Sequence, residues 1–169
     1  MKSYLKKMKS KKWLLSIAIL IMAGLTISMI PQGDMPDADG KELWEYMMKK
    51  NSYTEWDHWP GMEKMYEGQS PHGAYLKLYV NDVAKKAIKN GKKEMPANAI
   101  IVKENYNKEK KLVALTPMYK VKAYNPDAGD WFWAKYATDG KIMAEGKVDG
   151  CINCHSKVKQ DDYLFSFSK

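Results

Sequence analysis

The chain has 169 residues, two cysteines and 28 basic side chains, every one a lysine, against 20 acids, for a formal charge of +8. Six of those bases are Lys2, Lys6, Lys7, Lys9, Lys11 and Lys12, in a stretch 1–30 that contains no acid, so the remainder carries 22 bases against 20 acids, or +2. Basicity confined to one end argues against a nucleic-acid partner, and without arginine no bidentate guanidinium clamp on phosphate or carboxylate can form.

After the lysines, residues 13–30 form a nearly unbroken apolar run. The pair has the charged and apolar regions of an export signal, yet the run is long for one and lacks a small-residue cleavage site, so an uncleaved membrane anchor is an equal reading. Either way the lysines stay inside and the chain beyond them lies in the periplasm or another extracytoplasmic space, with 13–30 as the membrane tether if it is kept. Residues 31–40 read as a Pro/Gly-containing linker, which leaves 41–169 as a single domain of ordinary size.

Asp39 with Glu42 predicts a helix start, and Leu43, Trp44, Met47 and Met48 recur at helical spacing, giving a helix over about 40–50. Residues 51–73 mix aromatic, Gly and Pro residues without a period and predict loop with a short helical piece. Residues 74–80 alternate as a half-buried strand does. Asn81 is placed to cap a helix with Val83, Ala84, Ala87 and Ile88 as its buried stripe and Gly91 as its stop. Strands are expected at 99–105, at 112–124 with an interruption near Pro117, and at Trp131–Tyr136, after which Asp139-Gly140 turns the chain into a last strand at 141–145. This order predicts an α+β domain, an antiparallel β-sheet with flanking helices, preceded by the N-terminal hydrophobic helix.

Behind the last strand stands Cys151-Ile152-Asn153-Cys154-His155. Cys-x-x-Cys-His is the attachment pattern of haem c: two thiols become thioethers to the vinyl groups, and the adjacent imidazole ligates the iron. Both cysteines of the chain lie in it, so none is left for a disulfide. Two rivals use the same residues. A zinc site would have to complete its ligands from His58, His72 and His155, and a thioredoxin-like redox pair would be expected beside a βαβ pattern that is not found here. The export signal favours haem, because c-type haem is attached outside the cytoplasm. The motif's late position, after strands, excludes the all-helical fold of small cytochromes c, which carry it near the N-terminus.

Four stretches in this order, Ser70-Pro71-His72-Gly73 leading into Lys77-Leu78-Tyr79-Val80-Asn81, Ile100-Ile101-Val102-Lys103-Glu104, Gly129-Asp130-Trp131-Phe132-Trp133, and the late haem motif, resemble the cytochrome P-460 family. That family includes the β-sheet cytochromes c-prime, or c-prime-beta, and the resemblance runs over roughly 40–167. It implies a sheet domain, usually a homodimer, with one haem c held by Cys151 and Cys154, His155 as the proximal ligand of a five-coordinate iron, and an open face for a small nitrogen ligand or substrate. P-460 members oxidise hydroxylamine and bond a lysine to the haem ring, and their electrons would pass to a redox partner cytochrome. Members of the c-prime-beta branch lack that crosslink and bind nitric oxide or carbon monoxide.

Carried over by position, the crosslinking lysine is Lys103, which alternation puts on one face with Ala99 and Ile101, with Lys77 the second choice. The distal carboxylate that would act as general base is Glu145, with Glu104 weaker because it points to the other face. The plainer readings are a solvated edge-strand lysine and a solvated hairpin acid. The phenylalanine cap of the c-prime-beta branch is not matched clearly, since only Phe132, Phe165 and Phe167 exist here. A sixth ligand, Met118 or Met143, would instead make an electron-transfer cytochrome; His58 and His72 are further candidates on the distal side, each otherwise a turn or surface residue.

Overall fold

The alternating stretches pair with one another. The computed structural model describes residues 35–168, and in it seven strands make one antiparallel sheet. They are β1 (Asp57–His58), β2 (Tyr66–Glu67), β3 (Tyr75–Val80), β4 (Ile100–Tyr106), β5 (Leu112–Lys120), β6 (Trp131–Tyr136) and β7 (Ile142–Gly146), in the order β1-β3-β4-β5-β6-β7, with β2 also on the free edge of β3. Three helices flank the sheet: α1 (Gly40–Glu45), α2 (Asp82–Lys89) and α3 (Asp149–His155). The expected α+β class is therefore what forms. The apolar run at 13–30 lies outside the described residues, among which no helix is long and apolar enough to cross a membrane.

Successive side chains of a strand point to opposite faces, and here each face has its own core. Leu78, Val80, Ile101, Met118, Trp131 and Trp133 pack on one face with α2 and the C-terminal segment. Tyr79, Val102, Leu115, Tyr119, Phe132 and Tyr136 pack on the other, with α1. Asp39 caps α1, its Oδ1 accepting from the N–H groups of Lys41 and Glu42 at 2.9 and 3.0 Å. The helix buries Leu43 and runs on as one wide turn, Tyr46–Lys50, that buries Met47. Asn81 Oδ1 caps α2 through Ala84 N–H at 3.0 Å and also accepts from Ile100 N–H at 3.1 Å, which ties the helix to β4.

Three boundaries differ from expectation. Met35 and Ala38 pack against the second core and the Pro36 carbonyl accepts from Tyr119 Oη at 2.9 Å, so the later half of the expected linker belongs to the domain. Two short strands, β1 and β2, occupy the stretch read as loop, each pairing with β3 for only two residues. β5 ends at Lys120, and its pairing with β4 runs through Pro117 without a break. On the β6 side the ladder passes from Leu115 to Met118 in the same register, as suits a residue without an N–H.

After α3 the chain makes 3-10 turns at Ser156–Asp161 and Phe165–Ser168, joined through Asp162 and Tyr163, both with positive φ (55° and 63°). This segment is riveted to the sheet by a buried ion pair, Lys120 Nζ to Asp162 Oδ1 at 2.6 Å. Asp162 Oδ2 accepts from Met95 N–H at 2.7 Å, and its carbonyl accepts from Trp131 Nε1 at 2.9 Å. Burial pushes the Asp162 carboxyl above its usual range, while Lys120 and the Met95 N–H pull it back. Lys120→Met leaves this carboxylate without its cation and is expected to cost about 3–5 kcal/mol of stability, to be read from urea denaturation of the wild type and variant side by side.

Candidate functional site

Helix α3 carries Cys151, Cys154 and His155, whose i, i+3 and i, i+4 spacing puts all three on one side of it. They line a cavity of about 320 Å³ between α3, the C-terminal segment and the first face of the sheet. Leu78, Ile101, Met118, Trp133 and Leu164 give it apolar walls, and Lys103 and Lys135 bring two cations.

His155 is buried with its ring 4.8 Å from Trp133 and 5.2 Å from Phe165. Its Nδ1 is 2.7 Å from the Tyr163 carbonyl oxygen, which can only accept, so the proton sits on Nδ1 and Nε2 keeps its lone pair. Metal-binding histidines are oriented in this way. Burial pushes the imidazole down to about 4, so it is neutral at ordinary pH, and pushes the Cys151 thiol up.

Trp133 Nε1 is the one buried side-chain nitrogen or oxygen among the described residues that lacks a hydrogen-bond partner, and its ring lines the cavity. An orphaned donor of this kind calls for an acceptor on a bound group. Two thiols, a neutral imidazole with a free Nε2, apolar walls, an unmatched N–H and two lysines suit a flat apolar macrocycle that carries iron and two carboxylates. The residues present fit haem c.

The expected site residues divide between the two faces. Lys103 enters the cavity, as its alternation with Ile101 predicts. Glu145 does not: Ala144 lines the cavity, and Glu145, next along β7, turns to the opposite face, where its Oε2 accepts from Gly40 N–H at 2.7 Å. The expectation of a distal base at Glu145 is corrected on that ground. Glu104 is also on the second face, buried, accepting from Tyr53 Oη at 2.9 Å and Tyr106 Oη at 2.6 Å. Lys77 lies over the Tyr106 ring at 5.3 Å, on that face too. Met118 lines the cavity, Met143 is exposed, and His58 stacks on Tyr79 at 4.5 Å, away from the cavity.

Sequence reasoning gave too little weight to His72 and missed Asn105. Gly73 brings their segments together, since a Cβ there would come within 2.5 Å of the Tyr106 backbone. Asn105 Oδ1 accepts from Gly73 N–H at 3.2 Å, which fixes the amide's orientation. His72 Nδ1, 3.1 Å from the same oxygen, must then be the protonated nitrogen, leaving Nε2 bare and 3.4 Å from Lys103 Nζ. Burial, with the neighbouring Lys103 charge, pushes His72 down to about 4. The signal that could have found Asn105 was the alternation that turned Lys103 inward.

The fold and the cavity together define a c-type haem cytochrome built on an antiparallel sheet. The family model for cytochrome P460 matches residues 50–166, and the chain belongs to that family. No curated protein matches the chain.

Asn105→Ala removes the acceptor of Gly73 N–H and His72 and the donor to Lys103 O and Thr116 Oγ1. It is expected to cost about 1–3 kcal/mol, the penalty of stranding buried polar groups, measured as a lowered urea midpoint with unchanged slope.

Proposed function

We propose that this protein is an exported monohaem cytochrome that oxidises hydroxylamine or a related small nitrogen species. On this reading the haem is attached through Cys151 and Cys154, and His155 Nε2 ligates its iron. The observation that carries the reading is the presence of Lys103 in the same cavity as those three residues, at the position that the family resemblance matches to the crosslinking lysine. The bound haem would supply the one-electron acceptor that amino-acid side chains lack.

The chain's own residues then have separate tasks. His155 is held in one tautomer by Tyr163. Leu78, Ile101, Met118 and Leu164 keep water from the buried end of the cavity. Trp133 and Lys135 offer a donor and a cation to the cofactor's carboxylates. Glu145 is engaged at Gly40, so proton acceptance falls to His72 Nε2, which its bond to Asn105 keeps unprotonated. A nitrogen with a pKa of about 4 passes a proton on to water rather than storing it. The domain works outside the cytoplasm, tethered or released according to the fate of residues 13–30, as a homodimer that hands electrons to a partner cytochrome. The apolar walls also suit a c-prime-beta-like protein that binds nitric oxide or carbon monoxide without turnover.

Joint replacement of Cys151 and Cys154 by Ser is expected to leave the denatured chain without haem, seen as loss of haem staining on a denaturing gel. Digestion of the native protein should yield a haem peptide containing Cys151 and His155 joined to one containing Lys103. Lys103→Met should lose that link and, with it, hydroxylamine-dependent reduction of an added cytochrome. Two thioethers without a lysine link, in a protein that takes up nitric oxide but leaves hydroxylamine unchanged, would select the binding reading.

A further inference from the structure

The second face of the sheet buries a carboxylate that neither the cavity nor the attachment motif uses. Glu104, midway along β4, is surrounded by phenols: its Oε1 accepts from Tyr53 Oη at 2.9 Å and its Oε2 from Tyr106 Oη at 2.6 Å. The second of these is as short as a charge-assisted O–H···O bond becomes. Tyr79 belongs to the same group: burial and then the Glu104 carboxylate raise its hydroxyl, and its ring meets Tyr53 edge-on with centres 5.4 Å apart. His58, on the edge strand β1, lies on Tyr79 at 4.5 Å. The rings therefore run from the middle of the sheet to β1. Burying a carboxylate is costly, and an apolar side chain would fill this place without that cost, so a carboxylate among three phenols points to chemistry rather than packing.

We propose that Tyr106 is a redox-active tyrosine that gives an electron to the oxidised haem and its proton to Glu104 Oε2. The proposal rests on haem being held at Cys151, Cys154 and His155, and not on hydroxylamine being the substrate. The oxidant is hydrogen peroxide, which takes two electrons and two protons to become two waters. One electron comes from the cofactor and the other from Tyr106, and the two protons come from solvent. The phenol proton moves along the 2.6 Å bond to the carboxylate, which leaves a neutral tyrosyl radical beside a neutral Glu104.

Three features single out Tyr106. It stands three residues after Lys103 in β4, about 10 Å along the strand, and Lys103 lines the cavity. The Lys77 ammonium lies over its ring at 5.3 Å, so a ring that lost an electron and kept its proton would face a positive charge. Electron loss is thereby tied to proton loss, for which Glu104 is the outlet. Tyr163, whose carbonyl holds His155, lacks such an outlet: its hydroxyl donates at 3.1 Å to the Asp127 carbonyl, and an amide oxygen is too weak a base to keep a proton. Tyr53 and Tyr79 lie between this site and His58, so an electron from a reductant at β1 can refill Tyr106. The oxidising equivalent is led out of the cavity by the face that carries no cofactor.

The test is electron paramagnetic resonance on the purified full-length ferric haemoprotein, mixed with hydrogen peroxide and rapidly frozen. Wild type should show an organic radical whose spectrum narrows when the protein is made with ring-deuterated tyrosine. Tyr106→Phe should lose most of that signal, with the optical spectrum before peroxide unchanged. Glu104→Gln keeps the size of the side chain and an acceptor for the hydroxyl but cannot take up its proton, so it should lose the signal with Tyr106 still in place. Tyr106→Phe, which removes a single oxygen, carries the test alone if Glu104→Gln does not fold. No radical in wild type, a radical that deuteration leaves unchanged, or a signal that survives Tyr106→Phe or a folded Glu104→Gln would overturn the inference. Haem staining of the denatured wild type separates the two levels: stained protein without the signal defeats only the role of Tyr106, whereas unstained protein defeats the attachment on which it rests.

Discussion

The Lys120–Asp162 ion pair is the constraint on which the site depends. It joins the last residue of β5 to the C-terminal segment at 2.6 Å, with both side chains under a tenth exposed. The next residue, Tyr163, supplies the carbonyl that holds His155 Nδ1. Between the sheet and the His155 imidazole there is thus one buried ion pair, one peptide unit and one hydrogen bond. Two successive non-glycine residues with positive φ make the bend at Asp162 and Tyr163, each costing on the order of 1–3 kcal/mol. Hydrogen bonds from Met95 and Trp131 to Asp162, and from Tyr163 Oη to the Asp127 carbonyl, offset that strain. A buried pair contributes little net stability over an apolar replacement. Its value here is positional, since it decides where Tyr163 points its carbonyl.

The second constraint is parity within the strands. Lys103 and Glu104 are neighbours in sequence, yet the sheet puts one in the cavity beside Cys151, Cys154 and His155 and the other among tyrosine hydroxyls on the far side. Burial raises the Tyr53 and Tyr106 hydroxyls well above their ordinary range, and the Glu104 carboxylate adds to the rise, so both remain donors to it. Had the two side chains shared a face they would have paired with each other rather than with His72 and the tyrosine hydroxyls. A one-residue slip of β4 would exchange them.

Parity also explains which parts of the site were legible in the sequence. The inward turn of Lys103 follows from its alternation with Ile101 in a long central strand, and the placing of Cys151, Cys154 and His155 on one side of α3 follows from the spacing of the motif. Glu145 was not legible, because its distance from His155 along the chain says nothing about its face. That is set by the β6–β7 hairpin, where a register shift at Lys135/Tyr136 alters the count. Lys120 gave no sign of its burial among 28 lysines, since its partner lies 42 residues away. β1 and β2 are too short to show a period, and their pairing with β3 is a tertiary event.

His72 is the clearest case of a residue whose chemistry lies outside its own neighbourhood. In its loop nothing distinguishes it from a turn histidine, and His58, which is one in effect, stands on Tyr79 with its Nδ1 3.3 Å from the Leu78 carbonyl. What separates the two is Asn105. It lies 33 residues further on and is itself oriented by Gly73 N–H, so that its oxygen is the only atom of the amide left facing the imidazole. The tautomer of His72 is therefore imposed by β4, the same strand that presents Lys103 two residues earlier. One strand thus sets both the lone pair and the cation beside it. A change in the register of β4 would disturb the two together, which is why the pair behaves as one device rather than as two independent side chains in a pocket.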